Sequence, residues 1–393
     1  MLALALWLAS EGNMSSKEKG NLTTWEAACI ITGYGIGSGV MSMPWLAQKC
    51  GFPLSVLILV VSFVASYVLH VMIADLALKS DGGQIITCLT KFLFRGKLKN
   101  VLSITFFVLM GIILCTNLGA YIYASEEIIV GLVPMPALLA RVLFYAVCAV
   151  VVLFGLKAVG ISEKYAVGAI FVLIAGLAIA SIFAEHHAIP VACESFNSVL
   201  AYFGMAMFAM SAFFSVPQAV EGLKGDVPRI RKAVFLGLLN NFVLILVISV
   251  CALLASTEIT EVAMVGWSAG IGDWARIIGG LFTILAMLTT YWSLSLALAD
   301  IVKDMLHIGD RLSWFVATIP SFALVMFNLA GFMELMRTAG GLIAIIIAVM
   351  IVPAYRNAKK SVPGSALRID SLALDIAIIV AYVVMAIGSI VPV

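Results

Sequence analysis

The sequence predicts an all-α, polytopic membrane protein of eleven transmembrane helices, built as a five-plus-five inverted repeat with discontinuous helices 1 and 6. Three observations predict it. The 393 residues are 63% hydrophobic and only 11% charged, against about one half and one quarter in soluble domains. So much apolar surface is stable only where lipid accepts it. The apolar runs are continuous instead of alternating, which points to helices and away from a strand-built barrel. The two least regular helices, finally, open two halves that start on opposite sides of the membrane.

The spans fall at 24–46, 52–78, 100–130, 137–156 and 162–183 in a first repeat (24–183). A second repeat (198–353) holds 198–221, 233–255, 271–302, 313–330 and 332–353. A segment 1–23 precedes them, an outer loop 184–197 containing Pro190 joins the repeats, and 354–393 supplies a loop and a last span near 370–390. At about 1.5 Å per residue each run can cross a hydrocarbon core of ~30 Å. With the N-terminus in the cytoplasm, 19 of the 23 Lys and Arg lie inside, and only Lys49, Arg141, Arg276 and Arg337 fall outside. This is the positive-inside distribution. It implies a multi-pass inner-membrane protein with residues 1–23 cytoplasmic and Val393 outside. The basic cluster of Lys91, Arg95, Lys97 and Lys99 reads as an orientation signal, not as a nucleic-acid site. The opening run Met1–Ser10 is apolar but too short to span and lacks a basic leader, and Met14 is an equally good start.

Helix 1 contains Gly33-Tyr34-Gly35-Ile36-Gly37-Ser38-Gly39, followed by Pro44. Each glycine costs a helix about 1 kcal/mol relative to alanine. Opened backbone is tolerated in a membrane only where protein or a wet cavity satisfies it. Close helix packing through small residues is the plainer reading of these glycines. Helix 6 carries Phe208-Ala209-Met210-Ser211-Ala212-Phe213 and then Pro217, expected to kink it by clashing with the Phe213 carbonyl. Breaks at corresponding places of two inverted halves mark a midplane binding site. Half-helix N-termini there offer N–H groups to an anion, and carbonyls can hold a cation. An amino acid fits: its carboxylate on the N–H groups around Gly37, Ser38 and Gly39, its ammonium on carbonyls of 208–211. Tyr34, Phe208 and Phe213 would supply aromatic walls, and small Ser211 and Ala212 leave room. No buried acid or mid-membrane arginine is placed to pair a charged substrate side chain, which favours a neutral amino acid.

The stretch from Gly35 to Pro44 resembles the glycine-rich first helix of the amino acid–polyamine–organocation superfamily. The stretch from Phe208 to Gly237, with Pro217, Glu221, Lys224 and Lys232, is most similar to the amino acid/auxin permease branch, though Ser211-Ala212-Phe213 departs from the glycine–histidine pair common there. The end of helix 10, with Gly340, Gly341 and Pro353, is similar too. The resemblance implies alternating access and a substrate held by helices 1, 3, 6 and 8, with helix 10 as a further candidate. On helix 3 it points to Asn117 and Tyr121, which are also among the few polar groups of that span.

The expected coupling ion is sodium. Thr289 and Thr290 form a polar pair in an apolar stretch, and hydroxyls with helix-break carbonyls suit a hard cation; both could equally bond back to their own helix. The resemblance implies a ligand set of the Gly33, Ile36 and Ala286 carbonyls with the Thr289 and Thr290 hydroxyls. Proton-coupled relatives place a lysine midway along helix 5, whereas here Lys164 stands only at its start. Proton-coupled transport of an amino acid, an aromatic one included, is the alternative. A membrane-embedded enzyme is disfavoured because His70, Asp75, Glu126, Glu127 and Glu334 do not converge at one depth. A channel is disfavoured for want of a repeated pore loop. No cofactor is expected, the seven cysteines form no CxxC pair, and the sequence leaves monomer and homodimer open.

Overall fold

The computed structural model describes residues 21–37, 39–327, 349–361 and 371–392; Ser38, Gly340, Gly341 and most of the expected span at 332–353 lie outside the described residues. Helix α1 (Thr24–Gly35) begins under a capping box. Thr23 accepts the Glu26 N–H at 3.2 Å, and Glu26 takes the Thr23 N–H at 2.8 Å, which satisfies two donors that a helix start otherwise leaves free. The helix stops at a turn through Ile36 and Gly37, and α2 (Gly39–Cys50) continues the crossing. Then come α3 (Phe52–Leu78), a short α4 (Ile85–Phe92), α5 (Lys99–Leu132), α6 (Ala137–Leu153) and α7 (Gly155–Ser181).

The second half repeats the pattern. Helix α8 (Phe196–Ala209) ends at a break over 210–214, and α9 (Ser215–Gly222) completes that crossing. It is followed by α10 (Val227–Ala255), a short α11 (Ala263–Ile271), α12 (Asp273–Leu306) and α13 (Asp310–Met326). Residues 349–361 are helical, and α14 (Leu372–Gly388) comes last. Every expected span other than 332–353 is matched by helix over its described residues, the two breaks apart.

Three details differ from expectation. Pro217 does not kink a helix: it is the third residue of α9, where its missing N–H would have had no intrahelical partner anyway. The break lies just before that helix. Two helices, α4 and α11, occupy stretches expected to be loop. Helix α7 begins at Gly155, about two turns before the expected 162, so residues at its charged start are helical.

Exchanging the halves maps α1 onto α8, α2 onto α9, α3 onto α10, α5 onto α12 and α6 onto α13, and the packing obeys the exchange. Contact of α1 with α10 is answered by α8 with α3, and that of α2 with α10 by α9 with α3. Likewise α2 on α8 is answered by α9 on α1, and α5 on α13 by α12 on α6. The two unexpected helices, α4 and α11, are also counterparts in this exchange.

Lipid-facing and core-facing residues separate by helical spacing. On α3, Leu57, Val60, Val61 and Val64 are exposed while Leu59, Ser62, Ser66 and Leu69 are buried. Helix α12 is the exception: every residue from Thr289 to Ala299 is buried. The helix packs against α1, α5, α6, α7 and α13, so this buried stretch is a central post, while Trp274, Ile277 and Leu281 nearer its start are exposed. At one end, Glu26 binds Lys157 at 2.7 Å and Lys164 at 3.5 Å, and Arg229 donates to the Leu22 carbonyl and Thr24 hydroxyl at 3.1 Å. These contacts tie the start of α1 to α7 and α10. At the other end the connection before α8 folds over the turn between α2 and α3, where the Phe52 N–H donates to the Pro190 carbonyl at 2.8 Å.

Candidate functional site

Where the two broken helices meet, the chain encloses a cavity of about 40 Å³. Backbone at Gly35, Gly37 and Gly39 forms one wall, with Tyr34 beside it; Phe208, Ser211 and Phe213 form the opposite wall. Asn117 and Tyr121 reach in from α5, and Thr290 from α12. Of the residues expected to bind substrate, Tyr34, Gly37, Gly39, Asn117, Tyr121, Phe208 and Ser211 are thus brought to one place, and Ser38 lies outside the described residues. Ala212 is fully buried and is not among the lining residues. Phe213, expected as a wall, is one.

Gly37 shows why the lining must be bare backbone. A Cβ there would stand 2.8 Å from the Tyr121 hydroxyl and 3.1 Å from that of Thr290. Any side chain would occupy the cavity. Ser211 turns its hydroxyl back to the Met207 carbonyl at 2.8 Å, while the Asn117 side-chain oxygen Oδ1 is buried without a hydrogen-bond partner.

The break in helix 6 is held from α3 by a residue sequence reasoning left without a role. His70 lies with Nδ1 2.6 Å from the Ser66 carbonyl and Nε2 2.8 Å from the Ala212 amide nitrogen. A carbonyl accepts and an amide donates, so the partners assign a neutral ring with its proton on Nδ1. The ring also stacks on Phe213 at 5.2 Å between centroids. It therefore caps an N–H that the break would otherwise leave unsatisfied in a buried place.

Four of the five residues expected to hold sodium also converge. The Thr290 hydroxyl lies 2.9 Å from the Gly33 carbonyl and 3.0 Å from that of Ala286, and the Thr289 hydroxyl lies 2.9 Å from the Ala286 carbonyl. Both threonines thus make the within-helix bonds of the plainer reading, and Thr290 adds one across to α1. Ile36 is fully buried in the adjoining turn.

Two further polar groups at the breaks escaped the sequence reading. Glu163 of α7 is completely buried; its Oε1 accepts from the Ser293 hydroxyl at 2.7 Å, and its Oε2 has no hydrogen-bond partner. A Cβ on Gly33 would collide with that free oxygen, so the carboxylate lies directly against the broken helix. Asn241 of α10 is also fully buried, with neither side-chain polar atom bonded, beside Gly35. The signal for Glu163 was available: Gly160, Glu163, Val167, Ile170, Ile174, Leu177 and Ser181 are spaced alternately by three and four and are all buried. They form one inward stripe of α7. A second cavity, of about 580 Å³, opens where the ends of α3 and α12 meet α4, with Asp81, Glu221, Asp300, Lys303 and Asp304 in its lining.

A family model described as the tryptophan/tyrosine permease family matches residues 21–390. The chain belongs to that family. No curated protein matches it. Among solved structures it is similar to Mhp1, a nucleobase-cation-symport-1 family transporter captured in a closed conformation with bromovinylhydantoin bound. The TM-score is 0.69 at 12% identity, covering 95% of this chain and 91% of that one. That likeness gives the fold, an all-helical inverted repeat. Membership of a permease family in a transporter fold makes this chain a multi-pass membrane transporter and not an enzyme. The superfamily resemblance holds at this level; the family matched is the tryptophan/tyrosine permeases, and the finer placement near the auxin permease branch stays an expectation.

Proposed function

We propose that this permease carries a neutral amino acid with an aromatic side chain, by sodium-coupled symport with alternating access. One observation carries the substrate reading. The cavity at the two breaks combines unencumbered glycine backbone with the rings of Tyr34, Tyr121, Phe208 and Phe213. Backbone at helix ends suits the carboxylate and ammonium common to amino acids, and the rings suit an aromatic side chain. The family's description, tryptophan/tyrosine permease, agrees. About 40 Å³ is far below the ~300 Å³ at which small-molecule pockets begin. Binding on this reading therefore widens the site by turning Phe208 or Phe213 and moving the half-helices. Sodium is supported by the convergence of Gly33, Ala286, Thr289 and Thr290, and by the cation-symport family of the similar fold. The charge distribution supports an inner-membrane address with the N-terminus inside and the C-terminus outside.

The test is purified protein in liposomes, with uptake of labelled tryptophan competed by each of the twenty amino acids. We expect tryptophan, tyrosine and phenylalanine to compete and charged amino acids not to. A sodium gradient imposed alone should drive accumulation. Accumulation under a pH gradient alone, with sodium absent, would defeat the coupling assignment while leaving the substrate assignment standing.

A further inference from the structure

We infer that Asn241 is a substrate-binding residue set behind the helix breaks, and that its amide oxygen accepts from the ammonium of the amino acid when the site widens. The inference rests on the amino-acid reading above and deepens it with a side chain that is not in the lining of the cavity.

Packing delivers Asn241 to the place where two half-helices end. Gly237, one turn earlier on α10, has no room for a side chain: a Cβ there would stand 2.6 Å from Ile31 and 2.9 Å from the Ala28 carbonyl. Bare backbone at 237 lets α10 close on α1. The buried stripe of Val234, Gly237, Asn241, Leu244 and Ile248, spaced alternately by three and four, then lays the amide against Gly35. Gly35 is the last residue of α1 and lines the cavity. A Cβ on it would collide with Nδ2 of Asn241, and would lie 3.1 Å from the carbonyl oxygen of Ala209, the last residue of α8. The C-terminal ends of α1 and α8 thus meet at this one amide.

Chemistry names the ligand. A helix C-terminus gathers carbonyls without intrahelical partners and the negative end of the dipole. Two such ends together favour a cation that donates hydrogen bonds, and the ammonium of an amino acid is one. Asn241 is completely buried, and neither Nδ2 nor Oδ1 has a hydrogen-bond partner. A buried amide left unsatisfied costs stability, a cost that a bound ammonium offsets. Oδ1 accepts from it, and Nδ2 is left to donate to an end carbonyl, which fixes the way the amide faces. A carboxylate at this position would also accept, but would bury a charge whenever the ammonium left. On the reading above, the cavity of about 40 Å³ widens as the half-helices move. Moving them opens the seam that Asn241 occupies.

The experiment is competition against labelled tryptophan on purified full-length protein, with three unlabelled probes. These are tryptophan, tryptamine, which lacks the carboxylate, and indole-3-propionate, which lacks the ammonium. Asn241→Leu keeps the bulk and removes both polar atoms. Its half-inhibiting concentrations of tryptophan and tryptamine should rise at least about tenfold, the worth of a hydrogen bond to a charged group, while that of indole-3-propionate stays within about twofold of wild type. If Asn241→Leu cannot be purified, Asn241→Ala removes the same amide and serves by the same pattern. Equal losses for all three probes would make Asn241 a packing residue, and no loss for any would make it a bystander. Loss for tryptophan and indole-3-propionate, with tryptamine unchanged, would put the carboxylate there instead. Each of these overturns the inference and leaves the amino-acid reading standing. Wild type that binds no amino acid defeats both, a signature seen before any variant is made.

Discussion

Gly37→Ala is the sharpest probe of the substrate site. The new Cβ would lie 2.8 Å from the Tyr121 hydroxyl and 3.1 Å from the Thr290 hydroxyl, well inside the ~3.5 Å at which non-bonded heavy atoms attract. Gly37 is not among the residues with positive φ, so alanine fits the backbone, and the cost falls on packing. Overpacking of this kind costs about 1–3 kcal/mol. Binding has to fit substrate into the same space, so affinity should fall by roughly 5- to 150-fold. Gly111→Ala is the control, since a Cβ on that lipid-side glycine of α5 meets nothing within 4 Å. Scintillation-proximity binding of labelled tryptophan gives the affinity, and size-exclusion chromatography of both variants reports folding. A monodisperse Gly37→Ala protein with wild-type affinity would refute the idea that this stretch of backbone touches substrate.

Three other outcomes are expected. His70→Ala strips the Ala212 N–H of its acceptor at a cost of about 1–3 kcal/mol, so the apparent melting temperature followed by tryptophan fluorescence should drop by about 1–4 °C; no drop would show that the ring does not secure the break. Glu26→Gln removes the charge that holds Lys157 and Lys164 to the start of α1. It should speed alkylation of Cys29, one turn along and fully buried, with Cys29 as the sole remaining cysteine; an unaltered rate would mean the ion pairs do not hold that end shut. Single cysteines placed in 184–197 should react with an impermeant reagent from outside, and cysteines in 79–99 should not; the converse pattern would invert the topology.

The spans were readable because hydrophobic length is a property of composition. The expected 52–78 and the observed Phe52–Leu78 coincide. Helix 1 was readable as broken because glycines announce weak helix, and the chain does stop being helical at Ile36. Rotation about the helix axis was not readable in the same way. Glu163 and Lys164 look alike as a charged pair at the start of a span, yet one turn of about 100° per residue sends the first into the core and the second to Glu26. Asn240 and Asn241 divide similarly: Asn240 donates to the Thr32 hydroxyl at 3.0 Å, and Asn241 stays unbonded. Helices α4 and α11 are too short for hydropathy to find. Pro217 misled because a proline in a first turn and a proline in a kink read the same until the helix start is known.

The pairing of halves has a mechanical corollary at the helix starts. Thr23 caps α1 and Ser195 caps α8, each accepting the N–H of the third residue on, so the two ends are built to one plan. On α1 that third residue is Glu26, which reaches Lys157 and Lys164; on α8 it is Ser198, whose hydroxyl meets only that of Ser195, at 2.9 Å. In a perfectly matched pair of halves, the two facing states would be mirror choices of equal energy. Here one hinge is latched by charge and the other by a neutral contact. In the alternating-access cycle proposed above, unequal latches would give one facing state the advantage, set at residues outside the candidate cavity.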